Sequence, residues 1–311
     1  MPVSMRLGAG ISAIIFILGV LSVLPSPGTK SLPPLEAPHA YIIFGGDMMF
    51  DRSVRQFADA HGGDYLFSCL DDVFLRADLV VANLEGPITA SSSKSADSLP
   101  GDGNNYIFTF PTSTAELLYK HRVRLVSIGN NHIMNFGIGG LLQTKAALRQ
   151  AGVGYFGDPD SLEPDKVARI EVGGIPFSFI NWSDWTSDNT DITGAQVAKE
   201  KAAGRVVVVY AHWGEEYVPP LARVARLAHT FVDQGADIVI GSHPHIVQEH
   251  ELYKGKYIYY SLGNLIFDQY WTDAVDHGLM LGVDFGKDGV EKVTEIPVEL
   301  KRDRRTCPYT P

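Results

Sequence analysis

Cysteine and positive charge are both in short supply in this sequence. Two cysteines, Cys69 and Cys307, occur among 311 residues, too few for a disulfide framework or a cysteine-based zinc site. We expect both to be structurally incidental, although a single bridge between them stays open. The formal net charge is −10, whereas proteins that bind phosphate backbones need clustered lysine and arginine. We therefore expect no nucleic-acid partner.

One long hydrophobic run stands near the N-terminus. Residues 7–24 form 18 consecutive uncharged, mostly apolar positions. Such a run is longer than the core of a cleaved signal, roughly 7–15 residues, and just meets the roughly 17–18 residues that a membrane span needs. We interpret residues 1–25 as a signal anchor in preference to a cleaved signal peptide, and 26–39 as a proline-rich linker. Either interpretation places the rest of the chain outside the cytoplasm, membrane-anchored or secreted.

The chain from Ala40 onward has the pattern of one large α/β domain. Short β-branched runs alternate with helical patterns, and the later strands follow one another without helices, so we expect a partly antiparallel sheet. We place this domain at residues 40–300 and a C-terminal tail at 301–311. Aromatic side chains in two of three long loops either wall a cleft or pack on the surface. The three loops are 88–105, 181–196 and 268–277.

Polar side chains follow five strong apolar runs, at the point where each predicted strand ends. They are Asp47, then Asn83 and Glu85, then Asn130, Asn131 and His132, then His212 and Glu216, and finally His243 and His245. Because the carboxyl ends of parallel strands share one edge of a sheet, we expect these loops to converge. Carboxylate, carboxamide and imidazole donors without thiolate suit Zn, Mn or Fe, and there are too many for one tetrahedral ion. The pattern predicts a two-metal site.

Each of these residues, taken alone, has a simpler explanation. Asp47 could cap a following helix, Glu85 could be a surface carboxylate, and a single histidine is usually a hydrogen-bonded structural residue. The segment "GSHPHIVQ" at 241–248 is more specific. Pro244 disfavours the helical region for His243, and side chains two apart in an extended segment leave on the same face. Both imidazoles could therefore reach neighbouring ions, one for each metal.

Six short motifs resemble those of a known family. They are "GGDMMFDR", "NLEGPIT", "NNH", "HWGEEY", "GSHPHIVQ" and "YSLGNLIFD", in this order across residues 40–285. This set is similar to that of the CapA family, the poly-γ-glutamate capsule biosynthesis proteins of the calcineurin-like metallophosphoesterase superfamily. The resemblance implies a four-layer αββα sandwich with mixed sheets and a dinuclear site, on the exported side of a bacterial membrane.

The resemblance also implies roles for individual residues. His132 would face the substrate as a proton donor or oxyanion partner, while Arg52 and Glu216 would orient the substrate or the ligands around it. Arg52 carries a planar fork of donors that suits a carboxylate or phosphate. Two divalent ions, Mn, Zn or Fe, would be held by Asp47, Glu85, Asn131, His212, His243 and His245.

Two departures from the related patterns bear on this site. Asn135 stands where CapA relatives usually carry an acid after the Asn-Asn-His motif, which could weaken the orientation of His132. Met49 stands where the wider superfamily has a histidine, so the first metal has one imidazole fewer; the CapA pattern shares this feature.

Three functions fit the sequence. The first is a metal-dependent hydrolase or transferase that acts on an anionic cell-surface polymer or on a phosphorylated precursor. The second is a non-catalytic accessory subunit, anchored beside the subunits of a membrane polymer synthase. The third is a secreted phosphatase unrelated to capsule, since fold and site do not determine the substrate.

Overall fold

The computed structural model describes residues 1–2, 37–99, 101–160, 166–186 and 189–310. The predicted N-terminal anchor and most of the predicted linker lie outside these residues. Within the described ranges, none of the helices has the length and apolar character required to cross a membrane. The chain from Ala37 onward forms one compact unit.

The described elements follow the predicted α/β order and end in consecutive strands. They are β1 (His39–Met48), α1 (Arg52–His61), α2 (Asp64–Phe67), α3 (Asp71–Phe74), β2 (Leu79–Leu84), α4 (Thr114–Lys120), β3 (Val123–Ser127), α5 (Gly137–Ala151), β4 (Gly154–Phe156), β5 (Val167–Val172), β6 (Ile175–Ser183), α6 (Thr190–Ala202), β7 (Val206–His212), α7 (Ala222–Asp233), β8 (Ile238–Ser242), β9 (His250–Tyr253), β10 (Lys256–Tyr259), β11 (Asn264–Ile266), β12 (His277–Gly286), β13 (Gly289–Leu300) and β14 (Thr306–Pro308). The last strand lies within the stretch that we placed in a C-terminal tail.

The described strands form two mixed sheets. The larger has the order β14-β13-β12-β1-β2-β3-β4, with β11 also paired to β1. In it β1, β2, β3 and β4 run parallel, while β12, β13 and β14 are added antiparallel. The smaller has the order β5-β6-β7-β8-β10-β9, with a parallel core of β6, β7, β8 and β10. The expected antiparallel part is confirmed by β12 to β14.

The two sheets pack face to face, and helices cover their outer faces. Successive side chains of a strand point to opposite faces, so Val208 and Tyr210 of β7 enter the core between the sheets while Val207 and Val209 pack under α6 and α7. The outer face of the larger sheet packs against α1 to α5 in the same way. Strands buried on both faces read as continuous apolar runs. The layers therefore run helix, sheet, sheet, helix, which fits the predicted sandwich.

The predicted loop at 181–196 is shorter than expected. Strand β6 continues to Ser183, and α6 begins at Thr190. The Asn189 side chain caps this helix by accepting hydrogen bonds from the backbone N–H groups of Asp191 and Ile192. A polar cap followed by Asp, Thr and Gly resembles loop composition, which is why the helix start was missed.

Cys69 and Cys307 form a disulfide, so the expectation that they are incidental was wrong. Cys69 follows α2 beneath the larger sheet, and Cys307 lies in the edge strand β14. The bridge closes a loop of 238 residues. A cross-link across so long a loop removes much conformational freedom from the unfolded chain.

We expect the double variant Cys69→Ser/Cys307→Ser to be less stable than the wild type by about 2–4 kcal/mol. Chemical denaturation under non-reducing conditions measures this difference, and wild-type protein unfolded in a strong thiol reductant is the matched control. Equal unfolding midpoints for oxidised wild type and the double variant would show that the bridge does not stabilise the fold.

Candidate metal centre

The predicted donors meet where the carboxyl ends of the parallel strands of both sheets face each other. Asp47, Glu85 and Asn131 come from the larger sheet, at or just after β1, β2 and β3, whereas His212 and His243 come from β7 and β8 of the smaller one. The backbone N–H of His243 donates to Asp47 Oδ2 at 3.1 Å. The predicted convergence is thus confirmed, but it spans two sheets and not the single sheet edge from which we argued.

Asp47 is a strand residue and not a helix cap. It lies within β1, between Asn83 of β2 and Asn264 of β11. The cap of α1 is Asp51, which accepts from the backbone N–H of Arg52. Asp47 is fully buried, and its carboxylate accepts from Asn83 Nδ2 at 2.7 Å. Its role is therefore not explained by helix capping.

Glu85 lies at the middle of the cluster and is fully buried. Its Oε2 accepts from Asn83 Nδ2. Its Oε1 has no hydrogen-bond partner among the described residues and lies 3.5 Å from His212 Nε2 and 3.9 Å from His132 Nε2. Burial and the nearby charge of Asp47 raise the pKa of Glu85 well above its usual value. A buried carboxylate oxygen without a donor is costly unless a cation neutralises it.

The side chains around Glu85 Oε1 present acceptors to one another. Ser242 Oγ donates to the backbone oxygen of Ala211, so it accepts from His212 Nδ1 at 3.0 Å. His212 Nε2 is then an acceptor, yet it lies 2.9 Å from Asn131 Oδ1. Acceptors at this distance repel each other unless a proton or a cation lies close to both. With this tautomer the arrangement suits two ligands of one positive ion; with the proton on His212 Nε2 it is a hydrogen bond to Asn131 Oδ1.

Two asparagines hold the cluster in place without belonging to the predicted ligand set. Asn83 donates through Nδ2 to both Asp47 and Glu85 and accepts through Oδ1 from Asn130 Nδ2 at 3.0 Å. Asn130 Oδ1 in turn accepts from the backbone N–H groups of His132 and Ile133. These bonds position the acids and the histidine turn together.

The His-Pro-His segment does not have the predicted extended backbone. His243 and His245 adopt positive φ angles of 95° and 57°, which a non-glycine residue adopts at a cost of order 1–3 kcal/mol. The turn is held by the bond from His243 N to Asp47 and by one of 3.0 Å from Tyr217 N to the Pro244 oxygen. The prediction was wrong because the local preference that the proline imposes on His243 is overridden by these tertiary hydrogen bonds.

The two imidazoles of this segment nevertheless reach the cluster. His245 Nδ1 lies 3.3 Å from Asp47 Oδ2 and 3.0 Å from Asn264 Oδ1. The His243 ring packs under Trp185, with centroids 4.0 Å apart, and its buried Nδ1 has no partner among the described residues. Burial, together with the neighbouring His245, lowers the pKa of His243 to about 3. We did not predict a role for Asn264. It lies in the motif "YSLGNLIFD", but an asparagine at the start of a short strand carries no other signal of a binding role.

His132 is oriented by Asn135 even though this residue is not an acid. Asn135 Oδ1 accepts from the backbone N–H of Phe108 at 2.9 Å and lies 3.2 Å from His132 Nδ1. His132 Nδ1 must therefore donate, which leaves Nε2 as an acceptor that faces Glu85. Burial and the nearby His245 lower the pKa of His132 to about 4. Asn135 thus orients His132 through a neutral amide oxygen, and a weaker orientation than an acid would give stays a prediction.

Arg52 and Glu216 lie at the border of the cluster. The Arg52 guanidinium already binds Asp268 Oδ1 at 2.5 Å and Asn105 Oδ1 at 2.8 Å, and it lies over the rings of Phe108 and Phe267. Its fork is therefore occupied by a carboxylate of this chain. Glu216 is exposed and lies outside both groups of candidate ligands, although its charge contributes to the raised pKa of Glu85.

The donor set fits divalent metal ions. Among the described residues, two triads have ligand atoms within 4.8 Å of one another, and they share Glu85. Burial lowers the pKa of His212 and His243, so both are neutral near pH 7, the form that binds metal. The triads are Asp47, Glu85 and His212, and Glu85, His243 and His245. These residues could hold two ions bridged by the Glu85 carboxylate.

Comparison with known proteins gives the family. A family profile described as bacterial capsule synthesis protein PGA_cap matches residues 41–269. The chain belongs to the PGA_cap family. The matched range contains all the donors of the cluster, from Asp47 in β1 to Asn264 in β11.

Named relatives of this PGA_cap protein are about 30% identical to it over the aligned residues. The capsule biosynthesis protein CapA of Bacillus anthracis is 30% identical over 255 residues, which are 76% of this chain and 61% of that protein. The PGA biosynthesis protein CapA of Bacillus subtilis (strain 168) is 29% identical over 83% of this chain and 70% of its own length. The chain thus spans about three fifths of the first of these relatives.

A probable polyglutamine synthesis accessory protein of Mycobacterium tuberculosis, Rv0574c, is also similar. It is 32% identical over 219 residues, which are 61% of this chain and 56% of that protein.

We expect the variant Glu85→Gln to raise the melting temperature of chelator-treated protein, because it removes a buried negative charge beside Asp47. The same variant should lose most of the stabilisation that added Mn²⁺ or Zn²⁺ gives the wild type, about 2.7 kcal/mol at a hundredfold excess over Kd. Thermal denaturation with and without metal measures both effects. Glu171→Gln, at an exposed position of β5, is the control, and identical melting of metal-loaded and chelated wild type would refute a metal centre.

His132 should make the metal-free protein less stable in acid. The pKa of His132 falls from 6.5 to about 4 on folding. Between these two pH values His132 is therefore protonated in the unfolded chain and neutral in the folded chain. This contribution to stability is lost progressively as pH falls from 6.5 towards 4. Urea unfolding of chelated protein across this range should show a smaller loss for His132→Gln than for the wild type, and parallel losses would contradict the assigned pKa.

Proposed function

We propose that this protein is an exported, metal-dependent hydrolase in the biosynthesis or processing of a cell-surface polymer of the poly-γ-glutamate type. The observation that carries the proposal is the buried Glu85 Oε1, which has no hydrogen-bond partner among the described residues and lies 3.5 Å from His212 Nε2 and 3.9 Å from His132 Nε2. Membership of the PGA_cap family and the names of the two Bacillus relatives support the choice of polymer.

The residues of the cluster would have three roles: binding the metal ions, orienting the ligands and transferring a proton. Divalent ions, when bound there, would polarise a phosphoryl or carbonyl group and acidify a water molecule. Asp47, Glu85 and the three histidines would hold the ions, and Asn83 and Asn264 would keep these ligands oriented. His132 would accept a proton at Nε2 from the attacking group and pass it to the leaving group. It can act as the predicted proton donor only after it has been protonated.

Two features support a place outside the cytoplasm. The apolar run at 7–24 suits a signal anchor or a signal peptide, and the Cys69–Cys307 disulfide belongs to an oxidising compartment. We propose the extracytoplasmic side of a bacterial membrane, with the N-terminal segment as the attachment. The substrate would be an anionic polymer or a phosphorylated small molecule, and subunits of a membrane synthase would be the protein partners.

The second candidate is a non-catalytic accessory role in the same process. The specific observation in its favour is the name of the mycobacterial relative, which calls that protein a probable accessory protein of polyglutamine synthesis. A metal centre would then stabilise a docking structure without turning over a substrate.

The variant His243→Ala/His245→Ala separates the two candidates. For the hydrolase we expect the purified full chain to bind about two divalent ions and to cleave an aryl phosphate or a γ-glutamyl polymer. The double variant should lose at least about a hundredfold of this activity, whereas His250→Ala, an exposed histidine of β9, should not. Metal analysis, hydrolysis assays and polymer yield in a complemented strain measure the result, after circular dichroism has checked folding.

Normal polymer yield with the double variant would show that the metal centre is not required for polymer production. Metal binding without hydrolysis of any substrate, combined with reduced yield, would favour the accessory role.

A further inference from the structure

Oxygen partners orient three of the four imidazoles at the metal centre. Each of these rings has an amide or hydroxyl oxygen within hydrogen-bond distance of Nδ1. A histidine that binds metal through one ring nitrogen usually has such a partner at the other, which fixes the plane of the ring. The pairs are His132 with Asn135 at 3.2 Å, His212 with Ser242 at 3.0 Å, and His245 with Asn264 at 3.0 Å.

The fourth imidazole, that of His243, has an aromatic partner in place of an oxygen. Its Nδ1 is buried and has no hydrogen-bond partner among the described residues. The ring instead lies against the indole of Trp185, with centroids 4.0 Å apart and an angle of 51° between the two planes. The centroids of His212 and His245 are farther from it, at 4.9 Å and 5.9 Å. Packing on Trp185 is therefore the closest ring contact that His243 makes within the described part of the chain.

The backbone next to Trp185 is tied to the strand that carries His212. The N–H of Asp184 donates to the backbone oxygen of His212 at 3.0 Å. The Asp184 carboxylate accepts from the backbone N–H of Gly214 at 2.9 Å, and both of its oxygens accept from the guanidinium of Arg223 in α7. These bonds fix the residue before Trp185 relative to β7 and α7. The position of the indole is therefore defined by neighbours on two elements of the fold.

Trp185 contributes little to the core. It is 43% exposed and lies outside all three apolar clusters. Trp271, the other exposed tryptophan, lines a cleft of about 430 Å³ and packs on Tyr217, with centroids 5.5 Å apart. The aromatic loop residues whose place the sequence left open thus include one that walls a cleft and one that covers a candidate ligand. Substitution of an exposed side chain outside the core usually changes stability little, so variants at both positions should fold.

We infer that Trp185 is a positioning residue, which holds the His243 imidazole in the orientation that binds metal. The indole restrains rotation of the ring without engaging its buried Nδ1. A ligand that is already oriented loses less freedom when the ion binds, so the affinity is higher. The inference rests on the metal centre of the proposed function, and it concerns the ion that Glu85, His243 and His245 would hold.

Competition between the full-length protein and a chelator for Mn²⁺ or Zn²⁺ tests the inference without relying on turnover. We expect Trp185→Ala to weaken the binding of one of the two ions about tenfold or more. The other ion should bind nearly as before, because His243 belongs to only one of the two ligand triads. Trp185→Phe keeps an aromatic face over His243 and should restore most of the affinity. Trp271→Ala, the matched control, should bind both ions as the wild type does.

Nuclear magnetic resonance of the chelated protein, with isotope-labelled histidine, measures the position of the ring before any ion binds. An aromatic face shifts the resonances of the protons that lie against it. The ring signals of His243, assigned by their loss in His243→Ala, should therefore move and broaden in Trp185→Ala. The signals of His132, whose ring packs on Phe108 with centroids 4.5 Å apart, should stay in place.

These measurements separate a failure of the inference from a failure of the proposed function. Equal affinities of wild type and Trp185→Ala for both ions, or unmoved His243 signals, would overturn the inference and leave the proposed function standing. An equal loss of both ions in Trp185→Ala would reveal a general structural effect and would overturn it too. Failure of the proposed metal centre would instead be visible in the wild type, which would then bind neither ion, and the inference would fall with it.

Discussion

The site depends on a buried negative charge that the protein does not neutralise by itself. Asp47 and Glu85 are both fully buried, and the amide of Asn83 bridges them without supplying a positive charge. A buried carboxylate without a charge partner costs several kcal/mol, and burial accordingly raises the pKa of Glu85. A bound cation would relieve this cost. The rest of the site brings neutral imidazoles close to these two carboxylates.

Bringing them there requires two sheets to meet closely at one end. Within the larger sheet, β1 lies so close to the residue before β11 that a Cβ on Gly46 would lie 1.9 Å from the backbone oxygen of Gly263. On the opposite side the positive φ angles of His243 and His245 turn both imidazoles back towards Asp47. Two of the described non-glycine residues with positive φ are therefore candidate metal ligands themselves. The extensive core between the sheets stabilises the fold enough to offset the cost of this backbone strain.

Much of this arrangement could be predicted from the sequence. Apolar runs that end in Asp, Asn or His marked the donors, since a buried strand needs a polar residue at its end only for capping, turning or binding. The sequence could not predict to which of the two sheets each strand belongs, because strands buried on both faces have a similar apolar composition in either sheet. The backbone of the His-Pro-His turn was also out of reach, since the strain in it is enforced by Asp47, nearly two hundred residues away. The pairings of Arg52 with Asp268 and of Cys69 with Cys307 could not be predicted either, because the partners are far apart in the sequence.

The central claim is that Asp47, Glu85 and His212, together with His243 and His245, would hold two divalent metal ions around the Glu85 carboxylate. The most direct measurement is anomalous X-ray diffraction from crystals grown with Mn²⁺ or Zn²⁺, recorded on both sides of the metal absorption edge. The account predicts two anomalous peaks flanking the Glu85 carboxylate at coordination distance, about 2.0–2.3 Å from the ligand atoms. Crystals with full metal occupancy elsewhere and no anomalous density beside Glu85 would contradict it.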